Sequence, residues 1–264
     1  MADASIITAI VLTVITASTP LLLAAIGELV VERSGVLNLG VEGMMIAGAI
    51  GGFAAANLTG STAIGVVVAA VAGAVLSVPF GVLVINLAAN QVATGLSLTL
   101  FGLGAAAMIG EPFLGAPGIK LPKLDIPGLT DIPVIGPVLF GQDGLVYLSF
   151  LLVAATSLIL GRSRIGLTLR AVGDSHDSAH NLGISVRKVR WIAVLFGGAC
   201  AGLGGGYLSL AYTPLWTENM TAGRGWIALA LVVFSSWLPW RVAIGAYLFG
   251  AVTILGFHAQ GAGI

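Results

Sequence analysis

Charge is nearly missing from this sequence. Eleven Lys and Arg and eleven Asp and Glu make up 8% of its 264 residues, against about 25% in a soluble domain. With 58% of residues hydrophobic and a mean hydropathy of +1.06, the chain has too few polar groups to cover a water-facing surface. It reads as a membrane protein. A formal net charge of zero leaves no basic footprint for nucleic acid. The single cysteine, Cys200, excludes an internal disulfide, and three histidines beside it argue against a structural zinc site. The N-terminus has no basic stretch ahead of its first apolar run, so no cleavable signal peptide is expected. Catalytic and nucleotide signatures are absent as well: there is no G-x-x-x-x-G-K-[ST] to cradle ATP phosphates, no H-E-x-x-H and no G-x-S-x-G. The glycine-rich "GGACAGLGGGY" (197–207) follows no strand pattern. Gly198, Gly202 and Gly206 recur every four residues there, the spacing of a helix-contact ridge rather than a nucleotide loop.

What the sequence does have is long runs free of charge, at 4–27, 43–110, 144–161, 191–217, 225–240 and 242–264. A spanning helix takes roughly 20 apolar residues, so 43–110 must fold back on itself. Turn signals lie at 57–61 and between Asn86 and Gln91. Spans are expected near 5–27, 36–56, 62–86, 91–110, 143–160, 191–212, 225–240 and 242–260. The expected fold is all-α, one polytopic transmembrane helical bundle over 1–264 with about eight hydrophobic segments. Pro79 and Pro239 interrupt two of them, and broken helices are expected.

Orientation follows from the basic residues. Arg162, Arg164, Arg170, Arg187, Lys188 and Arg190 cluster in 161–190, which is therefore expected to be cytoplasmic. Counting back puts 111–142 and the N-terminus outside; Arg33 and Arg241 fall inside, and Arg224 runs against the scheme. The outer stretch 111–142 carries six of the ten prolines and reads as an irregular extracytoplasmic segment, either a connector or a folded cap. In the inner loop, Asp174 and Asp177 have capping-box spacing and Gly183 stands where a helix C′ residue belongs. A two-turn helix over 175–182 results. Too short to be stable alone, it either docks on something or belongs to a loop that only sets topology. His176 and His180, four apart, read as a surface pair rather than metal ligands.

Between the first two apolar runs lies "ERSGVLNLGVEGMM" (32–45). Asn38 and Glu42 are four apart and would share a helix face. A carboxylate at depth in lipid faces protein or a watery path. The pair is either a polar clasp between helices or part of a translocation path. Glu28, Glu32 and Arg33 read as an ion-pair cluster at the membrane interface. With Asn86, Asn90 and Thr94, polar positions in or near spans two to four, Asn38 and Glu42 form the candidate substrate path. Trp226 and Phe101 are aromatic positions able to stack a base, though span aromatics commonly serve packing.

"ERSGVLNLGVEGMM", "LRAVGDSHDSAHNLGISVRKVR" and "GRGWIALALVVFSSWLPW" (223–240) together resemble permease subunits of the bacterial ABC importer group for nucleosides, simple sugars and branched-chain amino acids. They look most like the nucleoside branch, and their order along the chain matches. The resemblance implies inverted repeats and a multi-pass protein of the bacterial plasma (inner) membrane. It further implies a coupling helix docking on a separate ATP-binding cassette ATPase through Asp174, Ser175, His176, Asp177, Ser178, Ala179, His180 and Gly183. ATP and Mg would be held by that ATPase and no cofactor by this chain. Other implied partners are a second permease, more often different than identical, and an extracytoplasmic substrate-binding protein. The family usually carries a basic residue where His180 stands and continues in hydrophobic sequence past the position of Ile264. The expected function is a non-enzymatic permease subunit for nucleosides. Alternatives are a sugar or branched-chain amino acid permease, an ion-coupled secondary transporter using Glu42 or Glu28, or a non-transporting scaffold.

Overall fold

The structure is a computed structural model describing the backbone of residues 2–124, 127–130, 132, 133 and 135–261. Residues 262–264, next to the expected hydrophobic continuation past Ile264, lie outside the described residues, so that expectation is not addressed by the structure. Eleven α-helices are described: α1 Ala2–Arg33, α2 Val41–Thr59, α3 Thr62–Gly81, α4 Gln91–Gly110, α5 Ile135–Leu139, α6 Gly144–Arg162, α7 Arg164–Asp174, α8 His176–Asn181, α9 Val186–Tyr207, α10 Arg224–Phe234 and α11 Pro239–Gly261. Short π-helical turns extend α3 to Asn86 and α9 to Tyr212.

Among the described residues, seven helices are long and apolar enough to cross a membrane, while α10 is a half-length apolar helix. The eight expected segments are therefore seven full spans and one broken one. Three spans form the interior: within an 18-residue apolar stretch of each, 72% of the α9 span, 67% of α2 and 61% of α1 are buried, against 22–33% for the spans of α3, α4, α6 and α11. Glycine makes this possible. Gly202 on α9 meets the backbone of Ala69 and Gly73 on α3, and Gly48 on α2 meets Gly202 itself. A side chain at Gly202 has no room, so the ridge foreseen in 197–207 is a three-helix contact.

Segment boundaries near turns are close to expectation. Gly60, at φ 70°, ends α2, and Asn90 caps α4 through Ala93 N–H. Elsewhere they differ. The helix expected from residue 36 begins only at Val41, because Asn38 accepts a hydrogen bond from Gly40 N–H (3.1 Å) and gives its own N–H to Glu28 (3.0 Å), a local alternative to helical bonding. Asn38 and Glu42 therefore do not share a helix face. Pro79 lies inside α3 without ending it. Pro239 starts α11 rather than interrupting a span; the ring suits the first helical position, after a turn in which Ser236 and Trp237 both adopt φ 55°.

One end of the bundle gathers eight basic residues: Arg33, Arg162, Arg164, Arg170, Arg187, Lys188, Arg190 and Arg241. Arg190 donates to the Ser34 carbonyl, and Arg33 to that of Trp237. The ion-pair cluster expected of Glu28, Glu32 and Arg33 is not formed. Glu32 instead accepts from the Trp237 indole, tying the end of α1 to the turn before α11. At the opposite end, the described part of 111–142 folds down as a cap: Leu121 N–H bonds the Leu210 carbonyl (2.8 Å), and Phe113 meets Phe53 edge-on at 6.3 Å.

Candidate functional site at a broken helix

After α9 reaches the capped end, the chain turns back. Trp216 is buried against Gly110, and Thr213–Gly223 then descends without regular helix until α10 starts at Arg224 and runs to the basic end. The start of α10 is where Glu42 lies. Glu42, in the first turn of α2, is 2% exposed. Its Oε1 accepts from Thr221 Oγ1 (2.6 Å) and Gly223 N–H (2.8 Å), and its Oε2 from Gly225 N–H (2.6 Å). Helix N-termini expose unpaired N–H groups and a partial positive charge; here a carboxylate from another helix satisfies them. Such contact needs glycine at 225, where a Cβ would stand 2.6 Å from the Glu42 Cα.

The clamp sits deep. Gly43 packs on Leu98 and Thr99 of α4, about 12 Å along that helix from Gln91, so Glu42 approaches the middle of a hydrocarbon core about 30 Å thick. Asn219, Ala222 and the glycine at 223 all have positive φ (54°, 46° and 82°), which bends the chain sharply into α10. Beside the clamp an open cavity of about 770 Å³ is lined by Glu42, Leu103, Asn219, Gly223, Trp226 and Ala230, among others. Trp226 offers its ring to this space at 47% exposure. Arg224 explains its earlier discord with the orientation scheme: it is no outer-loop residue but a half-buried one, donating to the Met220 and Thr221 carbonyls and lying 5.6 Å from the Tyr212 ring.

Of the candidate path residues, the structure brings only Glu42 to this cavity. Asn38 is buried behind it, with its amide near Met44 Sδ (3.5 Å). Asn86 accepts from the Trp191 indole at 3.2 Å near the basic end. Asn90 is an exposed cap, and Thr94 is half-buried one turn into α4. The aromatic Phe101 is 63% exposed on α4 and does not line the cavity. Sequence reasoning missed Thr221, Gly223 and Gly225 as partners of Glu42, and Asn219 as a wall. The signal available was "TAGRGW" (221–226), a Gly-x-Gly directly ahead of an apolar run.

The inner loop holds two helices rather than one. Ser163 caps α7 through Gly166 N–H, and Leu169 and Val172 bury its apolar side. Asp174 ends α7 and does not cap α8. That cap is Ser175, which accepts from Ser178 N–H (3.3 Å), because Asp174 is already committed to helical geometry. Gly183, at φ 78°, closes α8 as expected. His176 lies 3.3 Å from Asp177, and every residue of α8 except Ala179 is exposed. The helix stands out from the basic end.

Residues 10–262 match the family model described as "Branched-chain amino acid transport system / permease component". The chain belongs to this permease family. Among similar proteins, TsgC13 of Haloferax volcanii, a permease protein assigned provisionally to a glucose ABC transporter, is 40% identical over 70% of the chain and 57% of its own length. The guanosine ABC transporter permease protein NupQ of Bacillus subtilis is 37% identical over 62% of the chain and 53% of its own. The nucleoside ABC transporter permease protein NupC of Lactococcus lactis subsp. cremoris is 32% identical over 68% and 62%. The matches thus span little more than half the length of these relatives. No solved structure matches. Family membership and the seven membrane-capable helices among the described residues make the chain a multi-pass inner-membrane member of this permease family.

Proposed function

We propose that this permease subunit carries a nucleoside inward along the face formed by α2, α4 and α10, driven by ATP hydrolysis in separate ATPase subunits. The observation that carries this reading is the open cavity beside the Glu42 clamp, where a broken helix reaches mid-depth next to the exposed Trp226 ring. Discontinuous helices at the midplane are recurrent places for substrate in transporters, and an indole face suits a planar base. Glu42 holds the α10 terminus in position; of the candidate path residues it is the one beside the substrate. The cavity is open on one side, and a second permease, different rather than identical, completes it.

The basic end faces the cytoplasm. There α8, with Ser175, His176, Asp177, Ser178, Ala179, His180 and Gly183 after Asp174, docks on the ATPase, which holds ATP and Mg. A substrate-binding protein delivers ligand to the cap formed by the described part of 111–142. A sugar is the second reading, favoured by the similarity to TsgC13; an indole face stacks on a sugar ring as readily as on a base. Ion coupling at Glu42 is disfavoured because both carboxylate oxygens are already bonded to protein donors.

Uptake of labelled guanosine and labelled glucose by proteoliposomes holding the chain with its genomic-neighbour ATPase and permease tests the proposal. ATP-dependent guanosine accumulation, reduced at least ten-fold by Trp226→Ala, is expected. Accumulation without ATPase that collapses with the proton gradient would overturn it, and glucose in place of guanosine would select the second reading.

A further inference from the structure

A second concavity lies at the basic end, on a different side of the bundle, between α6, α7 and α9. It encloses about 410 Å³, and its walls include Ile159 and Leu160 of α6, Ile165 of α7, and Ile192 and Phe196 of α9. Its polar lining is Arg164, Thr156 and Thr168, and both threonine hydroxyls already bond carbonyls of their own helices. The groove is lined from Val189 to Phe196 of α9, about 10 Å of helix, which is less than the thickness of one leaflet's hydrocarbon. It is therefore a slot running into the bilayer from its surface. Helix α7 follows α6 directly at this end. It exposes Ile165 (73%) and Leu167 (62%) beside the exposed Arg162 and Arg164, the amphipathic arrangement of an interfacial helix.

We infer that this groove is a specific site for an anionic phospholipid, with one acyl chain in the slot and the headgroup phosphate on Arg164. Two independent features point to one occupant. The slot is apolar and within reach of hydrocarbon, so a chain fills it without desolvating polar groups. Its mouth carries a guanidinium with no carboxylate within 4 Å among the described residues, and Lys188 immediately precedes the groove-lining Val189. A cation over an apolar slot complements a molecule that is anionic at one end and aliphatic at the other. A peptide occupant needs an acidic residue directly followed by an extended aliphatic run. The groove is separate from the proposed transport cavity, and the inference stands independently of it.

Native mass spectrometry of the full chain in mild detergent, given equal phosphatidylglycerol and phosphatidylcholine, provides the test. The wild type retains phosphatidylglycerol preferentially. Arg164→Ala weakens that retention about five-fold, the worth of one basic residue at a lipid surface, while Arg164→Lys keeps most of it. Ile192→Trp, at a position 69% exposed, fills the slot and removes retention of both lipids without disturbing the core. Equal retention of the two lipids by the wild type overturns the inference, as does unchanged retention in Ile192→Trp. So does an efficient crosslink from the Ile192→Cys variant to a second permease with no lipid retained, which assigns the groove to protein.

Discussion

Replacing Glu42 by Gln changes one oxygen into an amide group and nothing in size. In the native clamp the carboxylate accepts three hydrogen bonds at 2.6–2.8 Å while 2% exposed. Glutamine keeps one acceptor oxygen; its NH₂ then faces either Gly225 N–H or the Thr221–Gly223 pair, donor against donor. A hydrogen bond to a charged group contributes about 1.5–3 kcal/mol, and the charge at the α10 terminus adds roughly 0.3–1 kcal/mol. The loss is about 3 kcal/mol, which for a chain of this size lowers the thermal midpoint by about 6–12 °C. Thr221→Val removes one donor and leaves the carboxylate two others, so about 1.5 kcal/mol is lost. In the Glu42→Gln background it costs less, because its partner has already changed. Thermal unfolding of the purified chain, with hydrogen exchange at Gly225, measures all three. A Glu42→Gln protein melting within about 2 °C of wild type, with unchanged protection at Gly225, refutes the clamp as the feature that holds α10.

Other outcomes follow from the same contacts. Trp226→Ala leaves the melting temperature near wild type, since the ring is half-exposed, while substrate uptake falls; loss of both together points to a packing role. Gly202→Val forces a side chain into the α2–α3–α9 contact and costs about 3 kcal/mol, read as a lower melting temperature and poor recovery of monodisperse protein. Trp237→Phe removes the donor to Glu32 and costs about 1–2 kcal/mol; an unchanged melting temperature means the indole contact contributes nothing. Ser175→Ala destabilises α8 by about 1 kcal/mol, speeding amide exchange at Ala179 and lowering uptake driven by the ATPase without lowering the melting temperature of the bundle.

The class, most span boundaries and the protruding inner helix are legible in the order of residues alone. Each of these depends on local properties: hydropathy over about 20 residues, capping residues at fixed offsets and a basic cluster in one loop. The ridge of Gly198, Gly202 and Gly206 was legible for the same reason, since a helix repeats its own face. Local pattern failed where the chain departs from one regular helix. By local pattern Asn38 belongs to α2, because nothing in its neighbourhood announces the Glu28 carboxylate ten residues earlier. Asp174 and Ser175 are both good caps, and only the packing of α7 decided between them. Pro239 looked like an interruption until the turn at Ser236 and Trp237 made it a beginning. The site itself was the least legible. Glu42 was visible as a costly carboxylate, but its partners lie some 180 positions away, and sequence proximity carries no information about which helix N-terminus it closes. Asn86, Asn90 and Thr94 share only polarity with it, and the tertiary structure leaves all three outside the cavity beside Glu42. Burial cost is a property of one residue, so sequence reveals it; the compensation is a property of two segments, and only the fold brings them together.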